Sequence, residues 1–157
     1  DAKKRTYNYI IKNSEVPLGI EFDNFLWIRS RLNEKQMNKA AKKLLGEQDF
    51  SSFRASGCQS KSVIRRIYKD NVIREGNYLI FEVTANAFLL NMIRIIVGTL
   101  IKVGKNEITP EDFENIIKKR DRKLAGRTIE AKGLYFVGPE YNNLDYKVNK
   151  VFVNELD

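Results

Sequence analysis

The stretch FLLNMIRIIVGTL, Phe88–Leu100, constrains this chain more than any other. Nine of its thirteen residues are large and apolar, yet Arg94 stands in the middle. Helical spacing carries the segment on to about Val103, with Gly104 as the stop. No apolar run in the chain approaches the ~18 residues of a membrane span. On a helix, the neighbours of Arg94 three and four positions away are Leu90, Asn91, Val97 and Gly98, a mostly apolar face. A guanidinium there is costly without a partner, since breaking a buried ion pair costs ~3–5 kcal/mol. Either an anionic group meets Arg94, with Gly98 leaving room for its approach, or the side chain snorkels to the helix edge. The pattern alone leaves both open.

The rest of the chain reads in order around this segment. TYNYII alternates Tyr7, Tyr9 and Ile11 on one face and predicts a strand. Asn33 caps a helix, with Gln36 three residues on as in a capping box. Met37, Ala40, Ala41, Leu44 and Leu45 form its buried side and Gly46 its stop. Lys35, Lys39, Lys42 and Lys43 lie on the outer side, a solvated face by default and a phosphate-facing one in the sharper reading. SVIRRIYKDNVI and YLIFEVTA predict two strands joined at REGN, a hairpin carried by Gly76 and Asn77. Thr109, Pro110, Glu111 and Asp112 open a further helix that buries Phe113, Ile116 and Ile117. GLYFVGPEY predicts the last strand, and the tail NNLDYKVNKVFVNELD either adds another or stays loose. The order β-α-β-β-α-α-β predicts an α+β fold, a ferredoxin-like or RRM-like antiparallel sheet with helices on one face. The opposite face is left for a ligand or another domain.

A length of 157 residues fits one domain, 1–157. The chain opens at Asp1 without Met and without a signal-peptide pattern, so it reads as a segment of a longer protein. It has no histidine, which excludes Ser-His and Cys-His nucleophile systems and His-ligated zinc within it. Acid–base chemistry is left to carboxylates, Tyr or Lys. Cys58 is the single cysteine, so no internal disulfide forms and a reducing, cytoplasmic setting is expected, with Cys58 as a small buried hydrophobe. The net charge of +8 and a pI near 9.5 favour a polyanionic partner, nucleic acid first.

Four motifs together, RTYNYII, DFSSFRA, NAFLLNMIRIIVGTLIKVG and GLYFVGPEY, resemble the C-terminal half of the tRNA pseudouridine synthase A family. The resemblance runs from Asp1 to about Tyr141. It implies isomerisation of uridine to pseudouridine in the anticodon stem-loop of tRNA, without a cofactor, by a homodimer whose active site lies between two related halves. It implies that Arg94 pairs with a catalytic Asp, that Tyr7 stacks on the target base and accepts a proton at the ribose, and that Leu134 packs in the same pocket. The family's Asp lies in a GRTDAGVHA-like motif of the other half. Here GRTIEAKG, from Gly126, matches only GRT before Ile129 replaces the Asp. The chain therefore resembles a half-enzyme without its nucleophile, inactive alone. An RNA arm also needs cations along its phosphates, and Arg54, Lys61, Arg65 and Arg66 cluster around FRASGCQSKSVIRR for that role.

The rival is a non-catalytic RRM-like RNA-binding module. In KGLYFVGPEY, Lys132, Gly133, Phe136 and Val137 fit the RNP1 pattern, while Leu134 and Pro139 do not. RNP1 belongs on a third strand and this stretch is on the last, so the order argues against it. An assembly domain that binds protein through its open sheet face is a second alternative. No basic amphipathic stretch with a large exposed apolar face supports a membrane role.

Overall fold

The alternation in TYNYII places its strand at the centre of the sheet. In the computed structural model, which describes residues 3–140, strand β1 (Lys4–Asn13) has neighbours on both edges. On one edge it runs antiparallel to β5 (Tyr78–Ala85), with Tyr7 opposite Val83, Tyr9 opposite Phe81 and Ile11 opposite Leu79. Two strands share the other edge end to end. β6 (Leu134–Glu140) pairs antiparallel with its first half, and β2 (Leu26–Ile28) pairs parallel with its last three residues. β4 (Ile64–Glu75) and β3 (Gly46–Asp49) extend the sheet beyond β5, giving the order β2-β1-β5-β4-β3 with β6 also beside β1. The β4–β5 hairpin turns at Gly76-Asn77, with Glu75 opposite Tyr78. Gly76 has φ +60°, the conformation a type II′ turn requires at its first central residue.

Side chains that face each other across this register form one apolar layer: Tyr7, Tyr9, Ile11, Leu79, Phe81 and Val83 are all buried. Three helices complete the same core: α1 (Glu34–Ala41), α2 (Met92–Gly104) and α3 (Pro110–Lys119). The side chain of Asn33 accepts from the backbone of Gln36 and caps α1. Thr109 and Asp112 form a reciprocal capping box on α3, with Pro110 in its first turn. Eleven residues of α2 are buried, which accounts for its apolar sequence all round. On the other sheet face, Phe25 packs edge-on against Tyr78 at 5.1 Å, so the β1–β2 loop covers that end of the face. The α+β class with helices on one face is the one the sequence predicts, and β1–β2 is its one parallel pairing among the described strands.

Several local expectations need correction. α2 starts at Met92 rather than Phe88, because Asn91 takes a left-handed φ of 60° that a right-handed helix cannot include. α1 ends at Ala41 and tightens into a 3-10 turn, Lys42–Leu44, that buries Leu44 but leaves Leu45 39% exposed. Gly46 does not stop a helix. Its φ of 97° opens strand β3. β2 and β3 were not foreseen, and the expected tail lies outside the described residues. The outer lysines of α1 mostly face carboxylates: Lys39 pairs with Glu111, Lys42 with Asp70 and Lys43 with Glu114. Among the described residues no helix is long and apolar enough to cross a membrane.

Candidate active site

Arg94 lies in the first turn of α2 and is half-buried. Its Nε donates to the carbonyl of Ile129 at 2.7 Å, and Nη1 donates to Asn91 Oδ1 at 3.0 Å. The left-handed turn at Asn91 sets this second partner beside its own helix start. Among the described residues no carboxylate forms an ion pair with Arg94, so both of its contacts are neutral oxygens. The anionic group that one sequence alternative expects is not met among the described residues. Arg94 is held inward by neutral groups, and its charge is not cancelled.

The partner segment is GRTIE, 126–130, which α2 binds along its length. Ile129 N–H donates to the Arg94 carbonyl at 3.3 Å, and Gly126 N–H donates to Thr99 Oγ1 at 2.8 Å. Between these bonds the two backbones touch. A Cβ on Gly98 would lie 2.0 Å from the Arg127 carbonyl oxygen, and one on Gly126 would lie 2.7 Å from the Gly98 carbonyl. The room left by Gly98 is thus filled by this chain's own backbone. Ile129, the residue that stands where the resembling motif has Asp, is buried and apolar.

Tyr9 grips the same segment from the sheet. Its hydroxyl donates to the Glu130 carbonyl at 2.5 Å, and its side chain is fully buried. Burial pushes this phenol well above its ordinary pKa, Glu130 adds to the rise, and Arg94 and Arg127 oppose it. Tyr9 therefore stays protonated and acts as a hydrogen-bond donor.

Tyr7 and Leu134 lie on the same sheet face. Leu134 sits opposite Tyr9 in the β1–β6 register and is 1% exposed. Tyr7 is 9% exposed and stands between two rings, Phe88 at 5.4 Å edge-on and Phe136 at 5.3 Å. Phe88 belongs to the approach to α2 and Phe136 to β6, so Tyr7 sits where that approach, β1 and β6 meet, while Leu134 and Arg94 both lie near Tyr9, Leu134 through the β1–β6 register and Arg94 through its charge. The sequence did not point to Tyr9, Asn91, Phe88 or the carbonyls of Ile129 and Glu130. Backbone carbonyls carry no residue signature.

The proposed phosphate cations fare unevenly. Arg54 Nη2 donates to the carbonyls of Cys58 and Ser60, and Arg65 donates to Ser62, Ile64 and Ser60 Oγ. Both guanidinia thus brace their own loop. Arg66 pairs with Glu47 across β3–β4 at 3.4 Å. Lys61 is exposed. Cys58, half-buried, packs against the core, and backbone N–H groups of Ser60 and Leu90 hold its thiol below the usual range.

A groove of about 1360 Å³ lies on the other side of the 126–130 segment. It runs between β2 and the C-terminal half of α2, and Arg29, Lys102, Lys105, Arg127 and Lys132 line it with Trp27. Arg127 is bridged to Glu130, whereas Arg29, Lys102, Lys105 and Lys132 form no ion pair among the described residues. Phe136, the aromatic of the RNP1-like match, faces Tyr7 on the helix side of the sheet. Stacking on a single-stranded base requires the open sheet face, so this placement removes the main support for an RRM-like reader. Among the described residues no group of three or more metal-ligating side chains is arranged to hold an ion.

Comparison with known proteins follows the same line. A family model described as tRNA pseudouridine synthase matches residues 40–142. The tRNA pseudouridine synthase A of Francisella philomiragia subsp. philomiragia is 46% identical over 146 residues, 93% of this chain and 57% of that protein. Those of Francisella tularensis subsp. novicida and subsp. holarctica are 47% identical over the same coverage. The chain thus spans 57% of the length of the curated relatives it matches.

Proposed function

The chain belongs to the tRNA pseudouridine synthase family, and on that premise we propose that it is the C-terminal part of an enzyme that isomerises uridine to pseudouridine in the anticodon stem-loop of tRNA. The C1′–N1 glycosidic bond breaks, the base turns, and C1′ rejoins at C5. The C5 proton leaves and N1 gains one, so no cofactor is needed.

The observation that carries this reading is the state of Arg94. A half-buried guanidinium at the start of α2 meets neutral oxygens only, among the described residues. In the full-length protein a catalytic Asp from the other part completes it. A guanidinium within ~4–6 Å lowers a carboxyl pKa by roughly 1–3 units, which keeps the nucleophile ionised at neutral pH. Its planar fork also orients the carboxylate. Tyr7, flanked by Phe88 and Phe136, takes the target base once it leaves its stack and accepts a proton at the ribose. Leu134 backs the pocket. The chain alone lacks the nucleophile and is inactive.

The tRNA partner draws on the +8 charge, with Lys61 and the groove cations as phosphate contacts. A homodimer in the cytoplasm completes the reading. It rests on the family resemblance and, for the compartment, on the single thiol.

The test is release of tritium from C5-labelled uridine in unmodified tRNA. The full-length protein releases it over many turnovers, and the 157-residue chain releases none. Robust multiple turnover by the chain alone would overturn the reading.

A further inference from the structure

We infer that Tyr9 is a positioning residue for Arg94: its buried hydroxyl holds the 129–131 backbone in the place from which the Ile129 carbonyl orients the guanidinium. This rests on the reading of Arg94 as the group that meets the catalytic carboxylate.

The geometry is a chain of contacts between two elements. β1 reaches Glu130 through the Tyr9 hydroxyl at 2.5 Å, and α2 reaches Ile129 through Arg94 Nε at 2.7 Å. Consecutive carbonyls are therefore fixed from the sheet and from the helix. The bond from Ile129 N–H to the Arg94 carbonyl, 3.3 Å, is made by the helix backbone and survives a change of side chain at either position. It anchors the segment without fixing the plane of the Ile129 carbonyl. That plane is set by Arg94 itself and, one peptide on, by Tyr9. Without the hydroxyl, Glu130 keeps its link to Arg127, an exposed pair at 3.7 Å that constrains little. The peptide can then rotate, and Arg94 rotates with it.

Tyr9 does not touch substrate. It is fully buried, whereas Tyr7, two residues earlier on the same face, keeps 9% of its surface exposed. Gly133 confirms how tightly the ring is seated, since a Cβ there would lie 2.8 Å from ring carbons of Tyr9.

Tyr9→Phe keeps the ring and removes only the hydroxyl. In the 157-residue chain labelled with ¹⁵N-arginine, hydrogen exchange at Arg94 Nε–H should accelerate about tenfold, the loss of one hydrogen bond's worth of protection. Backbone amides of β5 serve as the control and should not change. Unchanged exchange at Arg94, or equal acceleration at every amide, overturns the inference. In the full-length protein, Tyr9→Phe should lower single-turnover pseudouridine formation about tenfold, because placement errors of about 1 Å can cost ~100-fold. tRNA affinity should stay within about twofold. In an Arg94→Lys background the same change should cost less than about twofold, since there is no fork left to misplace. Equal losses in both backgrounds would assign Tyr9 a merely structural role. If the wild-type full-length protein forms no pseudouridine, the functional reading fails, and the exchange measurement still decides whether Tyr9 holds Arg94.

Discussion

Arg94 and Ile129 hold each other twice, once through the side chain and once through the backbone. Nε of Arg94 donates to the Ile129 carbonyl at 2.7 Å, and Ile129 N–H donates to the Arg94 carbonyl at 3.3 Å. A cation in an apolar helix is thereby turned toward one place, the start of α2 beside β1 and β6. The arrangement uses one guanidinium edge for a carbonyl and one donor for Asn91, and neither partner carries charge.

The crossing of α2 and the 126–130 segment is the tightest contact in this frame, and Gly98→Ala tests it. Alanine gains up to ~1 kcal/mol of helix propensity, but its Cβ would sit 2.0 Å from the Arg127 carbonyl oxygen. Overpacking of this kind costs ~1–3 kcal/mol or more. Urea unfolding should show a net loss of stability, and the full-length protein should lose turnover as Ile129 shifts. A variant as stable as wild type would mean that the two backbones are not in contact.

How much of this was legible in the sequence depends on the range of the interaction. Caps at Asn33 and Thr109, the turn at Gly76 and the strand alternation in β1 and β5 are local, and they read correctly. β2 and β3 have three and four residues and owe their existence to pairing with distant β1 and β4, so no period announces them. Gly46 shows the same limit. Its left-handed backbone was visible in the residue type, but whether it ends a helix or begins a strand was settled by β4. Within the site, Arg94 stood out as an anomaly. Its partner lies 35 residues away and is a carbonyl, and Tyr9 reaches a carbonyl 121 residues away. Arg54 and Arg65 read as phosphate contacts because they cluster with Lys61 and Arg66 along the sequence, and the loop carbonyls that their donors reach are invisible in composition.

Asp70 makes stability depend on pH. Its side chain is buried with Oδ2 unpartnered, and Lys42 Nζ sits 3.2 Å from Oδ1. Burial pushes the carboxyl up to about 6, and Lys42 only partly opposes it. The folded pKa lies above the unfolded value of 3.8. This carboxyl therefore favours the fold most below about pH 4, and its contribution is lost as pH rises through 6. At about 1.4 kcal/mol per unit this amounts to ~3 kcal/mol by pH 7. Asp70→Asn keeps an acceptor for Lys42 and should remove this pH dependence, with stability at pH 7 equal to wild type or higher. A loss of ~3–5 kcal/mol at pH 7 would mean that the ion pair outweighs its desolvation.

Binding of tRNA should weaken steeply with salt. For the chain, Lys102→Ala together with Lys105→Ala should reduce the slope of log K against log salt by about 2, and Lys61→Ala by about 1. Arg54→Ala should act chiefly by loosening the 54–63 loop, because its donors are already used. It should appear in loop hydrogen exchange more than in the salt slope. Binding insensitive to salt contradicts a phosphate-facing surface.

The central claim is that Arg94 awaits a carboxylate from outside this chain, and Arg94→Ala measured in two settings tests it most directly. In the 157-residue chain the change removes hydrogen bonds to two neutral oxygens and the burden of an uncancelled charge, so it should cost no more than about 2 kcal/mol. In the full-length protein it should lower single-turnover pseudouridine formation by about 100-fold or more while tRNA affinity stays within a few-fold. Arg94→Lys should recover little of that rate, since an ammonium offers no planar fork. The contrary result is a loss of ~3–5 kcal/mol in the chain with turnover of the full-length protein intact, which would make Arg94 one half of an internal ion pair with a structural role alone.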